Sequence, residues 1–125
     1  MIKLENVILI DDNKVDLYIN NYVIEKSGLA DSIISFTSAV EAIEYLSTIR
    51  LSSSDLILLD IQMPVMNGFE FLEKIENKIK TPLPKIIMLS SSKNERDFSV
   101  LSQFSIVSGW ILKPLSVEKL LEHFQ

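Results

Sequence analysis

The chain has 125 residues, 47% of them hydrophobic, with a formal charge of −5 and no cysteine. That length suits one domain, residues 1–125, built on a single core, and the apolar content excludes a disordered chain. The lack of cysteine excludes a disulfide framework and a thiolate metal site, in keeping with a reducing, cytoplasmic setting. The acidic balance disfavours direct contact with nucleic acid and favours a cation or a basic protein surface.

In chain order, NVILI (6–10) is a short Val- and Ile-rich run stopped by Asp11 and Asp12. It reads as a buried strand, and it is too short for a signal peptide or a membrane span, so no membrane contact is expected. Residues 13–27 follow as a helix with Val15, Tyr18, Ile19, Tyr22 and Val23 on one face and Gly28 as its C-cap. SIISF (32–36) is a second strand. Ser38 and Glu41 form a capping-box pattern before a helix that turns Val40, Ile43 and Leu46 inward. DLILLD (55–60) is the third strand. The next helix carries Phe69, Leu72, Ile75 and Ile79, and Pro82 and Pro84 end it. KIIML (85–89) is the fourth strand, followed by a Ser92–Glu95 box and a weaker helix over 94–104. GWIL (109–112) is a short fifth strand, and Ser116 caps a last helix with Val117, Leu120, Leu121 and Phe124 apolar.

This is an α/β chain with strand and helix repeated five times, (βα)5. Strands that read as continuous apolar runs suit a parallel sheet covered on both faces, and right-handed crossovers make it doubly wound. The residues at the strand ends then share one sheet edge, where open α/β folds bind ligands. Those residues are Asp11 and Asp12, Asp60, Ser90, and Lys113 with Pro114. Three clustered carboxylates repel one another, and a hard divalent cation such as Mg²⁺ relieves that repulsion. A cation, a lysine and a hydroxyl beside a carboxylate suit phosphoryl transfer, with one carboxylate as nucleophile to give an aspartyl phosphate.

The ordered set resembles the receiver (CheY-like) domain of two-component response regulators. Asp-Asp follows strand one, D-I-Q-M-P-V-M-N-G strand three, S-S-S strand four and K-P strand five. The resemblance implies a flavodoxin-like strand order 2-1-3-4-5. It implies Asp60 as the phosphoacceptor, and Asp11, Asp12, Asp60 and the Gln62 carbonyl as Mg²⁺ ligands. Lys113 would pair with one phosphoryl oxygen, and Ser90 would hydrogen-bond another. Trp110 takes the aromatic switch position, where the family usually has Tyr or Phe. Pro64 and Gly68 shape the loop after Asp60, and Pro114 would follow a cis peptide bond. The implied partners are a histidine kinase or histidine phosphotransfer protein, a downstream protein target, and a phosphorylation-dependent second copy. Phosphorylation would shift the loop after strand four and the face of the fourth helix, fifth strand and fifth helix.

Blander readings stand beside these. Asp11-Asp12 could cap the first helix, Lys113 alone is a solvated lysine, Ser90 alone a loop serine and Trp110 a core residue. Asp16, Asp31, Asp55 and Asp97 read as caps, loops or helix faces, and His123 as a surface residue. Two other functions compete. One is a pseudo-receiver that serves only as an interaction module, against which the complete set of Asp11, Asp12, Asp60, Ser90 and Lys113 argues. The other is an aspartate-nucleophile phosphatase, which would need an Asp-x-Asp spacing after strand one where this chain has DDNK. The chain is thus expected to be no enzyme beyond its own phosphotransfer and autodephosphorylation.

Overall fold

The structure is a computed structural model that describes residues 3–63, 65–78, 84–91, 99–100 and 103–124. Five strands, β1 Leu4–Ile10, β2 Ala30–Phe36, β3 Asp55–Asp60, β4 Lys85–Ser90 and β5 Val107–Leu112, form one parallel sheet in the order β2-β1-β3-β4-β5. Among the described residues there are four helices: α1 Lys14–Ser27, α2 Ala39–Leu46, α3 Gly68–Lys78 and α4 Val117–Glu122. The helix expected over 94–104 lies mostly outside the described residues, as do Ser92, Glu95, Asp97, Ile79 and Pro82. Of that segment, Ser99 and Val100 are helical.

The alternation of side chains along each strand sorts the core into two layers. Ile8, Ile10, Ile57, Leu59, Ile86 and Met88 pack with α2 and α3. Val7, Leu9, Leu56, Leu58, Ile87, Leu89 and Ile111 pack with α1 and α4, through Leu17, Ile24 and Leu120. The central strands β1, β3 and β4 are therefore apolar on both faces, and each large side chain buried there stabilises the fold by about 2 kcal/mol. The edge strands β2 and β5 are only half-covered, and each starts two residues before the bound read from the sequence, as does the central strand β1.

The helix ends have local causes. Gly28 closes α1 with φ 68° and ψ 13°, as expected of a left-handed C-cap. The hydroxyl of Ser38 accepts the Glu41 N–H at 3.3 Å, and that of Ser116 accepts the Lys119 N–H at 3.2 Å. A reciprocal box that the sequence reading missed opens α3. Asn67 N–H donates to Glu70 Oε1 at 3.2 Å, and Glu70 N–H donates to Asn67 Oδ1 at 3.0 Å.

Two helix faces differ from expectation. On α1 the stripe of Val15, Tyr18, Ile19 and Tyr22 points to solvent, with Tyr18 76% exposed, while Leu17, Asn20 and Ile24 are buried and Val23 is partly buried. This helix is apolar on two sides, so periodicity alone picks the more regular stripe and not the buried one. On α2 the buried set is Ala39, Ala42, Ile43 and Leu46, and Val40 faces outward because the small alanines sit against the sheet. His123 is not a plain surface residue either. It forms the C-cap of α4, and its ring occupies the space over Gly109, within 2.5 Å of where a Cβ there would sit.

Candidate functional site

The register explains how distant residues converge. Ile10 pairs with Leu59, Asp60 with Leu89, and Leu89 with Ile111. Asp11, Asp60 and Lys113 each extend the alternate series that faces α1 and α4 (7, 9, 11; 56, 58, 60; 111, 113). Their side chains therefore meet at the C-terminal edge of the sheet on one face. Ser90 and Trp110 belong to the opposite series, with Met88 paired to Trp110 and Ser90 to Leu112. Trp110 is half-buried and packs against the α2/α3 layer, as do Phe104 and Val107.

Asp11, Asp12 and Asp60 each offer a carboxylate oxygen, and these atoms lie within 4.8 Å of one another. Asp11 and Asp60 are buried, and Asp12 is exposed. Such an all-oxygen set fits a hard divalent cation that keeps part of its water shell. The Lys113 ammonium lies 2.9 Å from Asp11 Oδ2, 2.9 Å from Asp16 Oδ2 and 3.3 Å from Asp60 Oδ1. Neither Asp11 nor Asp12 caps α1. Asn13 does so, accepting the N–H groups of Val15 at 2.9 Å and Asp16 at 3.1 Å. Asp11 Oδ1 in turn accepts the Asn13 N–H at 2.9 Å, which aims its other oxygen at the site.

Electrostatics follow from crowding and burial. Burial first, then the Asp11 charge, push the Asp60 carboxyl up to about 6, against the pull of Lys113 and of the Gln62 backbone N–H. Burial also raises Asp11, opposed by the Asn13 N–H and Lys113. For Lys113, burial works to lower the value, but its hydrogen bonds to Asp16 and Asp11 outweigh it and the ammonium is held well above its ordinary range.

The loop framing Asp60 is tightly closed. Ile61 N–H donates to Leu89 O at 3.1 Å, and Gly68 N–H to Ile61 O at 2.8 Å. A Cβ on Gly68 would stand 3.0 Å from the Asp60 carbonyl oxygen and 3.0 Å from Ile61 Cα, so this close approach requires glycine. Val65 has φ 68°, a costly conformation for a β-branched residue, in a fully exposed position of the same loop. Pro64 lies outside the described residues. On the other side, Lys113 N–H donates to Ser90 O at 2.7 Å, and the Lys113–Pro114 bond is cis, as the resemblance implied. Lys119 Nζ donates to Leu112 O at 2.9 Å and Pro114 O at 3.0 Å, bracing that loop from α4. A lysine three residues into a capped helix gave no sign of this role.

Asp16 is the main residue that sequence reasoning passed over. An acid in the first turn of a helix reads as a complement to the helix dipole, and its partner Lys113 lies 97 residues away. Asp31 forms a surface ion pair with Lys3, and Asp55 sits at the other end of β3, bonded to Asn6 and the Ser52 N–H.

Comparisons with known proteins agree with this geometry. The family model for the response regulator receiver domain matches residues 7–125. The hybrid signal transduction histidine kinase L of Dictyostelium discoideum is 31% identical over 122 residues, covering 95% of this chain and 7% of that protein. The two-component response regulator ORR1 of Oryza sativa subsp. japonica is 31% identical over 116 residues, covering 87% of this chain and 49% of that protein. The chain thus spans less than half the length of these curated relatives. A two-component response regulator from Cytophaga hutchinsonii superposes with a TM-score of 0.88 at 28% identity, covering 98% of this chain and 95% of that one. The receiver domain of the Pseudomonas aeruginosa sensor histidine kinase PA1611, with a magnesium ion coordinated in its active site cleft, shares the fold with a TM-score of 0.78 at 18% identity, covering 95% of this chain and 93% of that one. Among the described residues no helix is long and apolar enough to cross a membrane. With strand order, carboxylate cluster and family match in agreement, the chain belongs to the response regulator receiver domains, the signalling switches of two-component systems.

Proposed function

We propose that Asp60 accepts a phosphoryl group from a phosphohistidine on a histidine kinase or phosphotransfer protein in the cytoplasm. The observation that carries this reading is the triad of carboxylates within 4.8 Å of one another, with the Lys113 ammonium 3.3 Å from Asp60. Asp11, Asp12, Asp60 and the Gln62 carbonyl would hold Mg²⁺, which when bound neutralises charge on the phosphoryl oxygens. An Asp60 oxygen attacks phosphorus as the P–N bond to the donor imidazole breaks, so the phosphoryl group passes from nitrogen to carboxylate. Lys113 donates to one phosphoryl oxygen and the Ser90 hydroxyl to another, positioned by the ends of β5 and β4. Moving Ser90 toward the phosphate would reset the packing of Trp110 on the same face of the sheet and so alter the surface that meets a target protein.

The exposed apolar stripe of α1 supports the partner class. Val15, Tyr18, Ile19 and Tyr22 begin within one turn of the carboxylates and offer a helix-sized surface to a donor that must approach Asp60 closely. The test is calorimetric titration with beryllofluoride, a phosphoryl stand-in, with Trp110 fluorescence as a reporter. One-to-one binding that needs Mg²⁺ and is lost in Asp60→Ala is expected. Binding independent of Mg²⁺ or of Asp60, or no binding by the folded wild type, would overturn the proposal.

A further inference from the structure

Lys113 is held in an unequal way. Its backbone is fixed by the Ser90 carbonyl, but its side chain is a flexible four-carbon stem ending in three donors. Three carboxylates meet those donors: Asp11 and Asp16 at 2.9 Å each and Asp60 at 3.3 Å. Two of the three have other work in the phosphoacceptor reading, as cation ligands and, for Asp60, as the carboxylate that becomes phosphorylated. Asp16 has none. It stands on α1 at the third helical position, and its N–H is bound by the Asn13 cap at 3.1 Å, so its backbone is set independently of the site. Its side chain is about one-third exposed, against 17% for Lys113, and both line a cavity of about 270 Å³ with Asn20, Ser91 and Leu115.

We infer that Asp16 is a positioning residue whose carboxylate anchors the Lys113 ammonium beside Asp60 when the lysine's other anionic partners are engaged elsewhere. This rests on the phosphoacceptor reading and deepens it. An anchored ammonium needs no reorganisation when negative charge develops on the phosphoryl group, whereas an untethered one must be gathered from solvent at the moment of transfer. The competing account is that Asp16 only complements the dipole of α1. That account predicts a change in stability that does not depend on Lys113 and no change in rate.

The experiment uses Asp16→Asn, which keeps the shape and removes the charge, with Lys113→Met and the double variant. In metal-free protein, Asp16→Asn should lower Tm by about 3 °C when Lys113 is present and should not lower it in the Lys113→Met background. At saturating Mg²⁺, the rate of phosphoryl adduct formation from acetyl phosphate, read by intact mass, should fall about tenfold in Asp16→Asn. The inference is overturned if the Tm loss is the same in both backgrounds. It is overturned equally if the Asp16→Asn rate at saturating Mg²⁺ matches or exceeds wild type. A folded wild type that takes no phosphoryl group defeats the phosphoacceptor reading and this inference together. A phosphorylated wild type with an equally fast Asp16→Asn defeats this inference alone.

Discussion

The strand β3 begins and ends with an aspartate, and the two ends behave in opposite ways. Asp55 is 2% exposed and Asp60 is 6% exposed, so burial does not distinguish them. Their partners do. Asp55 Oδ1 accepts from Asn6 Nδ2 at 3.0 Å and Oδ2 from the Ser52 N–H at 2.8 Å, so both oxygens are met by neutral donors. Asp60 faces Asp11 and Asp12 and shares the Lys113 ammonium with two other carboxylates. One carboxylate is satisfied and closes a loop. The other is crowded, its carboxyl pushed up to about 6, and a proton or a cation relieves its repulsion. The comparison teaches that a buried acid becomes a functional candidate through conflict with its neighbours.

Changing Asp55 should give the larger effect on stability. Asp55→Ala leaves the Asn6 amide and the Ser52 N–H without their acceptor, a loss of about 2–3 kcal/mol. Thermal melts should fall by roughly 5–10 °C. A change under 2 °C would mean that water replaces the carboxylate at that edge, and the contrast between the two ends would weaken.

Changing Asp60 should act with the opposite sign and depend on pH. Its carboxyl has a folded-state value of about 6, above the ordinary value of 3.8, so the native state holds more protons than the unfolded chain between these values. Stability contributed by the protonated form is therefore present at low pH and lost as pH rises from about 4 to about 6. The upper bound of that loss is about 3 kcal/mol, since Asp11 is coupled to the same site. In metal-free buffer, Asp60→Asn should raise Tm by roughly 3–5 °C at pH 7 and by less at pH 4.5. Mg²⁺ should raise the wild-type Tm at pH 7 by mass action. Equal wild-type and Asp60→Asn melts at both pH values would show that the three acids do not repel as described.

The same contrast marks what could be read from the amino-acid order. β3 was legible to the residue because a six-residue run with an aspartate at each end has one reading in a buried parallel sheet. The meeting of Asp11, Asp12, Asp60 and Lys113 was legible too, since strand ends share an edge once the sheet is parallel, whereas Ser90 extends the opposite face of β4. β5 was read too short because Gly109 interrupts its pattern, and His123 fills the space that a side chain there would take. The buried face of α1 was misread because the helix carries a regular apolar stripe toward solvent as well as a less regular one, broken by Asn20, toward the core. Asp16 stayed hidden because its meaning lies in a contact with Lys113 that only the folded chain creates.

The central claim is that the crowded end of β3 accepts a phosphoryl group. The direct measurement is intact-protein mass after incubation with acetyl phosphate, with Mg²⁺ or with chelator, on wild type, Asp60→Asn and Asp55→Asn. A single Mg²⁺-dependent phosphoryl adduct on wild type and on Asp55→Asn, absent from Asp60→Asn, is the predicted result. An adduct that survives in Asp60→Asn, or none on the folded wild type, would contradict the account.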